Sequence, residues 1–159
     1  MPAEYSFVSR WEVPVGADRA WDELTRMLTA PETDANTSWW PAVTRTRPAR
    51  RLVAGEELGL LVRSPLGYRL RVRLVLGEVD PPRRLTVRSD GDLTGRGTLR
   101  IEPRGDAAST IVIGWHVVTR RAWMNRTAWL LRPVFRRAHA HVMRAGERGL
   151  RRRLDATAA

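Results

Sequence analysis

The sequence predicts an α+β domain: a curved antiparallel sheet of about six or seven strands wrapped around one long C-terminal helix, with one or two short helices after the first strand. Three observations carry this reading. From about Trp123 to Leu154, apolar residues recur every three or four positions, the spacing of one helix face. Between Tyr5 and Thr119 the chain alternates apolar and polar in short runs, as half-buried strands do. Short turns rich in proline and glycine separate those runs, which suits sequential antiparallel hairpins.

Taken in order, Tyr5, Phe7, Ser9, Trp11 and Val13 share one face of the first strand, with Ser6, Val8, Arg10 and Glu12 on the other. Val15-Gly16-Ala17-Asp18 turns into a helix capped by Ala17 or Asp18. Ala20, Trp21, Leu24, Met27 and Leu28 form its apolar stripe. Thr29 to Ser38 is polar and contains Pro31, which reads as a loop or a short second helix. Trp39-Trp40-Pro41 opens a short strand over Ala42 to Thr44, and Pro48 to Gly55 is an arginine-rich turn region.

Strands Glu56 to Ser64 and Tyr68 to Val79 form a hairpin about Pro65-Leu66-Gly67. Tyr68, Leu70, Val72, Leu74 and Leu76 face one way, and Arg69, Arg71 and Arg73 the other, so one side of the sheet is wet. Asp80-Pro81-Pro82 breaks the chain before a strand from Arg84 to Ser89, and Asp90-Gly91-Asp92 turns it. The strand Leu93 to Pro103 directs Leu93, Gly95, Gly97, Leu99 and Ile101 inward. Thr110 to Thr119 is the last strand, with Ile111, Ile113, Trp115 and Val117 inward and Val112, Gly114 and His116 outward.

The helix buries Leu131, Phe135, Ala138, Val142, Gly146, Gly149 and Leu150, with arginines such as Arg136, Arg144 and Arg151 opposite. Pro133 kinks it or starts its main segment, because proline lacks the N–H and clashes with the preceding turn. From there to Leu154 it spans roughly 30 Å at about 1.5 Å per residue. A sheet this long must twist, and one helix against it leaves space between them. Inward Gly95 and Gly97 either leave volume unfilled or let the helix come close.

The 159 residues suffice for one domain with a substantial core. The net charge is +11, and every Lys/Arg position is arginine. Those arginines alternate outward along strands and coat one side of the last helix, without any nucleic-acid-binding motif, which disfavours nucleic acid as a partner. No apolar run approaches the ~20 residues that span a bilayer, and the N-terminus, with Glu4, lacks the apolar stretch of a signal peptide. The chain has no cysteine, so no disulfide or thiolate chemistry is open to it. A cytoplasmic location follows as the expectation.

This order of elements resembles the START-like helix-grip superfamily, also known as the Bet v 1-like or SRPBCC group, and within it the polyketide cyclase/dehydrase-type proteins of actinobacterial kind. The residues that carry the resemblance are Ala20-Trp21-Asp22, Trp39-Trp40-Pro41, Ser64-Pro65-Leu66-Gly67-Tyr68, Gly95-Arg96-Gly97, Trp115, and the run Trp123-Met124 through Arg132-Pro133 to Val142-Met143. It covers nearly all of residues 1–159, read as a single helix-grip domain. The resemblance implies a deep, mostly apolar cavity between the sheet and the last helix. Members bind lipids, sterols, hormones or polyketides, and a minority cyclise or aromatise polyketide chains.

Seven tryptophans is a high number for this length. Trp11 and Trp21 are assigned to the core between first strand and first helix, and Trp40, Trp115 and Trp123 to the cavity, where they suit a ringed ligand. Tyr68, Leu70, Val72, Gly97 and Leu99 complete the sheet side of the ligand-binding set. His139 and Met143 face them from the helix. His139 lies beside the apolar stripe, a place where resembling members often carry a histidine, and there it offers a hydrogen bond or a general base.

Metal binding is disfavoured, since His139 and His141 are two apart and do not share a helix face. Ser64 and Ser89 lack a nucleophile elbow, and the carboxylates Glu56-Glu57 and Asp90/Asp92 sit at turns. Gly91, Gly95 and Gly97 fall in a hairpin, not between a strand and a helix, so no phosphate loop is present. The expected function is therefore binding of a hydrophobic small molecule, a lipid, polyketide or similar ringed compound, with no cofactor. A cofactor-independent polyketide cyclase or aromatase using Tyr68, His139 and an arginine is the alternative. An arginine-rich surface for an anionic partner is the third reading, and it leaves peripheral membrane contact and the choice of monomer or homodimer open.

Overall fold

The computed structural model describes residues 2–31, 34 and 38–158. Among these, seven strands form one antiparallel sheet: β1 (Glu4–Val13), β2 (Val43–Arg47), β3 (Glu57–Arg63), β4 (Arg69–Asp80), β5 (Arg84–Gly91), β6 (Leu93–Pro103) and β7 (Ser109–Thr119). Helix α1 (Ala17–Thr29) follows β1, and α2 (Ala122–Ala158) ends the chain. Most of the segment read as a loop or second helix lies outside the described residues.

Strands β2 to β7 pair in sequence, and β1 then adds to β7, so the order is β1-β7-β6-β5-β4-β3-β2. Helix α1 carries the chain from one edge strand to the other. Register shifts between Arg45 and Arg47, and between Leu76 and Val79, insert irregularities that bend the sheet. The period-two faces fall as the alternation requires. Leu70, Val72, Leu74 and Leu76 are buried, while Arg69, Arg71 and Arg73 are exposed. On the wet face the arginines pair with carboxylates across strands: Arg10 with Glu102 at 3.2 Å, and Arg73 with Asp90 at 3.2 Å. Val112, assigned outward, is nonetheless buried; its register partners are Arg10 and Arg100, and long aliphatic stems can cover apolar surface.

Three local expectations need correction. The capping position of α1 is Gly16, not Ala17 or Asp18, and no side chain caps it. A Cβ at Gly16 would stand only 2.5 Å from the Asp106 carbonyl oxygen, so a residue with a capping side chain has no room there. Asp18 lies in the first turn instead, where its charge favours the helix dipole. Second, Pro133 does not open the main helical segment, since it lies inside one 37-residue helix. The carbonyl it leaves unpaired belongs to Trp129, which is 82% exposed, so the loss falls where water reaches. Third, the strand glycines do not bring the helix close. A Cβ at Gly97 would press on Val87 and the Trp115 ring, and one at Gly95, whose φ is +155°, would overlap the His116 carbonyl. The close approach is made by the helix's own glycines. Gly146 packs on Trp40 and Trp11, and Gly149 lies against the Trp39 carbonyl.

That contact organises the core. Trp11 packs edge-on to Trp39 and Trp40, which stack with each other at 6.1 Å, so Trp11 belongs to a knot under α2 rather than under α1. The first turn of α2 is fastened elsewhere: the Asn125 side-chain oxygen accepts from the Ala3 N–H at 2.9 Å and from the Thr119 hydroxyl. The C-terminal end is fastened to α1 by Glu23, whose side chain is fully buried and takes the Arg153 guanidinium at 2.9 Å.

Candidate functional site

Helix α2 crosses the concave side of the sheet, held at one end by Asn125 and towards the other by the Trp11–Trp39–Trp40 knot. Between these points a cavity of about 220 Å³ remains between sheet and helix. Its walls are mostly the inner faces of β1 and β3 to β7, with α1 and α2 completing them. The alternation that makes Leu70, Val72, Leu74 and Leu76 an inner face makes them the floor of this space.

The sequence-selected residues fall here with one exception. Trp40, Tyr68, Leu70, Val72 and Gly97 line the cavity, as do Leu99, Trp115, His139 and Met143. Gly97 has a specific part: lacking a Cβ, it leaves room for the Trp115 indole to lie across β6. Trp40 spends its indole N–H on the Val142 carbonyl at 2.9 Å, so it presents carbon to the cavity. Trp123 is outside the lining and 42% exposed. It sits on the first turn of α2, and its ring meets Tyr68 at 5.4 Å and Phe135 at 5.8 Å, so it backs two lining residues from outside.

Sequence reasoning misses Tyr5 and Phe7 of β1, Met27 of α1, and Phe135 of α2 as lining residues. The signal is present, since all four lie on the apolar faces identified from periodicity. Phe7 stacks on the His139 imidazole with centroids 3.8 Å apart and planes 10° from parallel. Tyr5 stacks on the same phenylalanine at 5.7 Å and meets the Phe135 ring edge-on at 6.3 Å. The Arg132 guanidinium lies 5.3 Å from the Tyr5 ring centre, within range of a cation–π contact.

Polar atoms are few along these walls. Burial alone pushes the His139 imidazole down from 6.5 to about 4, so it is neutral at pH 7. Burial likewise raises the Tyr5 phenol, against the opposing charge of Arg132, so it keeps its proton. Both His139 Nε2 and Tyr5 Oη are buried without a hydrogen-bond partner among the described residues. Among those residues, no group of three or more His, Cys, Asp and Glu is arranged to hold a metal ion. No helix among them is long and apolar enough to cross a membrane.

Residues 5–155 match the family model described as polyketide cyclase / dehydrase and lipid transport. Solved structures with the same fold include the protein TTHA0849 of Thermus thermophilus, 17% identical, with 98% of this chain and 100% of that one covered and a TM-score of 0.74. The Zhui aromatase/cyclase of Streptomyces sp. R1128 is 15% identical over 92% of this chain and 91% of its own, with a TM-score of 0.66. Norcoclaurine synthase of Thalictrum flavum, in complex with dopamine and hydroxybenzaldehyde, is 14% identical over 89% and 84%, with a TM-score of 0.55. No curated protein matches the sequence.

Proposed function

Since the chain belongs to the polyketide cyclase / dehydrase and lipid transport family, within the START-like helix-grip superfamily, we propose that it binds a hydrophobic small molecule in the cavity between sheet and α2. The observation that carries this reading is the carbon-lined space of about 220 Å³. Its size sets the guest. It exceeds the ~150 Å³ that encloses a benzene and falls below the roughly 300–1,000 Å³ of pockets that bury drug-sized ligands. A one- or two-ring compound suits it better than an extended lipid or a full polyketide chain. Affinity comes from apolar area removed from water, at about 25 cal/mol per Å².

A second reading, cofactor-free cyclisation, draws on the two buried polar side chains among the lining residues, Tyr5 and His139. Proton transfer needs a base whose pKa lies near the working pH. His139, at about 4 and with no carboxylate partner among the described residues, is a weak one. Binding is therefore the reading preferred. Native mass spectrometry of the protein purified from its own organism tests it, with a co-purifying adduct of one or two rings as the expected result. A chain that comes off empty, and whose tryptophan emission ignores one- and two-ring aromatic compounds, contradicts it.

A further inference from the structure

Helix α2 carries a second apolar strip that the core does not use. Trp129 is 82% exposed, Leu130 61% and Trp123 42%, and none of the three lines the cavity. At 3.6 residues per turn, Trp123, Arg126, Trp129, Leu130, Pro133 and Arg137 fall within about one third of the helix circumference. All six are exposed. Large apolar side chains gathered on one exposed strip mark a contact surface. The charge of the strip is one-sided. Residues 122–146 include Arg126, Arg132, Arg136, Arg137 and Arg144 but no Asp or Glu. Among the described residues, Arg126, Arg136, Arg137 and Arg144 make no ion pair, whereas Arg10 and Arg73 on the outer face of the sheet have Glu102 and Asp90. The β3–β4 turn adds to the same end of the molecule. Its Leu66 is 51% exposed, and the register partners Arg63 and Arg69 flank it. The Tyr68 ring against Trp123, and the Arg121 guanidinium donating to the Arg69 carbonyl at 3.0 Å, hold this turn beside the start of α2.

We propose that this strip lays the first half of α2 on an anionic lipid surface. Trp123, Trp129 and Leu130 enter the headgroup boundary, and Arg126, Arg136 and Arg137 meet lipid phosphates. The contact is peripheral, since no helix among the described residues is long and apolar enough to cross a membrane. Because the strip lies outside the cavity, the proposal stands independently of the binding reading. The chemistry selects the lipid. Tryptophan favours the boundary between headgroups and acyl chains, where its ring is in carbon and its N–H is wet. Guanidinium groups pair with phosphate in a two-pronged geometry. A strip running along one helix needs only a depth to sink to, not a matching pocket. A second copy of the chain fits it poorly, since a two-fold contact would set these unpaired arginines against their own copies. A nucleic acid would use the arginines and leave Leu130 and Pro133 unexplained.

Flotation of the full chain with large unilamellar vesicles tests this. The vesicles are phosphatidylcholine alone, or phosphatidylcholine and phosphatidylglycerol at about two to one, in about 0.1 M salt. The wild type is expected to float with the anionic vesicles and to stay behind with the neutral ones. Trp129→Gln/Leu130→Gln and Arg126→Gln/Arg137→Gln should each lower the partition coefficient by at least about tenfold. Glutamine is a good helix former and all four side chains are exposed, so both variants keep the fold, which circular dichroism checks. Val8→Thr alters a residue 71% exposed on β1 and should bind as the wild type does. Brominated acyl chains should quench wild-type tryptophan emission, and less of it in Trp129→Gln/Leu130→Gln. Equal flotation with neutral vesicles, or none with either, overturns the proposal. So does loss of binding in the arginine variant alone, which marks adsorption by charge without insertion. A dimer in vesicle-free buffer, or binding to a duplex oligonucleotide, that Trp129→Gln/Leu130→Gln abolishes would give the strip to a second copy or to nucleic acid instead.

Discussion

A tyrosine hydroxyl buried without a partner ought to cost the folded protein something. For Tyr5 this gives a sign opposite to the usual one for a core substitution. Tyr5→Phe removes the unpaired oxygen and keeps the stack on Phe7 and the edge contact with Phe135. We expect the variant to be more stable by about 1 kcal/mol, read as a higher urea midpoint at constant slope. A drop in the midpoint would mean that the hydroxyl has a structural partner. His139 makes a second residue-scale prediction, in pH. The unfolded chain takes up its proton near 6.5, whereas in the folded chain burial delays uptake to about 4. Between those values the unfolded state holds more protons, so stability is full above 6.5 and falls as pH drops towards 4. At about 1.4 kcal/mol per pH unit, the loss reaches roughly 3 kcal/mol. Tyr5, the titratable group on the β1 wall beside it, stays protonated throughout this window. The carboxylates Glu12, Asp90 and Asp92, all lowered below their ordinary values, respond only in its more acidic part or below it. Urea midpoints between pH 7.5 and 5 should therefore slope in the wild type and flatten in His139→Phe.

Packing between elements turns on a few contacts that periodicity does not reveal. Gly146 and Gly149 belong to the apolar stripe of α2 that the spacing picks out, but the stripe does not say which glycine touches another backbone. Sequence reasoning offers that part to Gly95 and Gly97 as one of two readings, the other being unfilled volume, because an inward glycine on a strand is compatible with either. Only the three-dimensional path of the Trp39-Trp40 segment decides between them. Gly149→Ala would drive a methyl into the Trp39 carbonyl and lift α2 from the tryptophan knot. It should cost at least about 2 kcal/mol, at the upper part of the range for overpacking, despite alanine's better helix propensity. A denaturation midpoint within error of wild type would show that the helix is seated otherwise. Glu23 is legible in principle, since it stands three positions after Ala20 and four before Met27, inside the apolar stripe of α1. Its burial escapes notice because nothing local names a partner 130 residues away. Removing only Arg153, as Arg153→Met, leaves that carboxylate buried with the weaker contacts to Arg26 and Arg19. We expect a loss of about 3 kcal/mol, largely recovered in the double variant Glu23→Leu/Arg153→Met. A thermodynamic cycle over the four proteins measures the coupling.

For the whole molecule, the number and order of the strands can be read from alternation and turn residues, because each hairpin is a local event. The cavity cannot be read in the same way. A period of two says which face of β4 or β6 points inward, and it says nothing about whether the interior there is filled. Placing Trp123 inside and omitting Phe7 both come from this limit: each is apolar and on the right face, but only one lies level with the gap. The gap carries a stability cost. At about 24 cal/mol per Å³ of cavity, a volume near 220 Å³ corresponds to roughly 5 kcal/mol relative to a solid interior. Filling part of it should then stabilise the protein and abolish binding together. Val72 is buried on the floor of the cavity, in the middle of β4, and Val72→Phe would send a ring into the space. We expect a gain of about 1 kcal/mol, a rise in Tm of about 2–4 °C, and at least a roughly tenfold loss of affinity for a one- or two-ring aromatic compound such as naphthalene. Overpacking predicts the opposite sign for stability, since a ring forced into an already filled interior costs about 1–3 kcal/mol. Calorimetry of the empty variant therefore decides whether α2 and the sheet enclose a usable space, independently of which ligand occupies it.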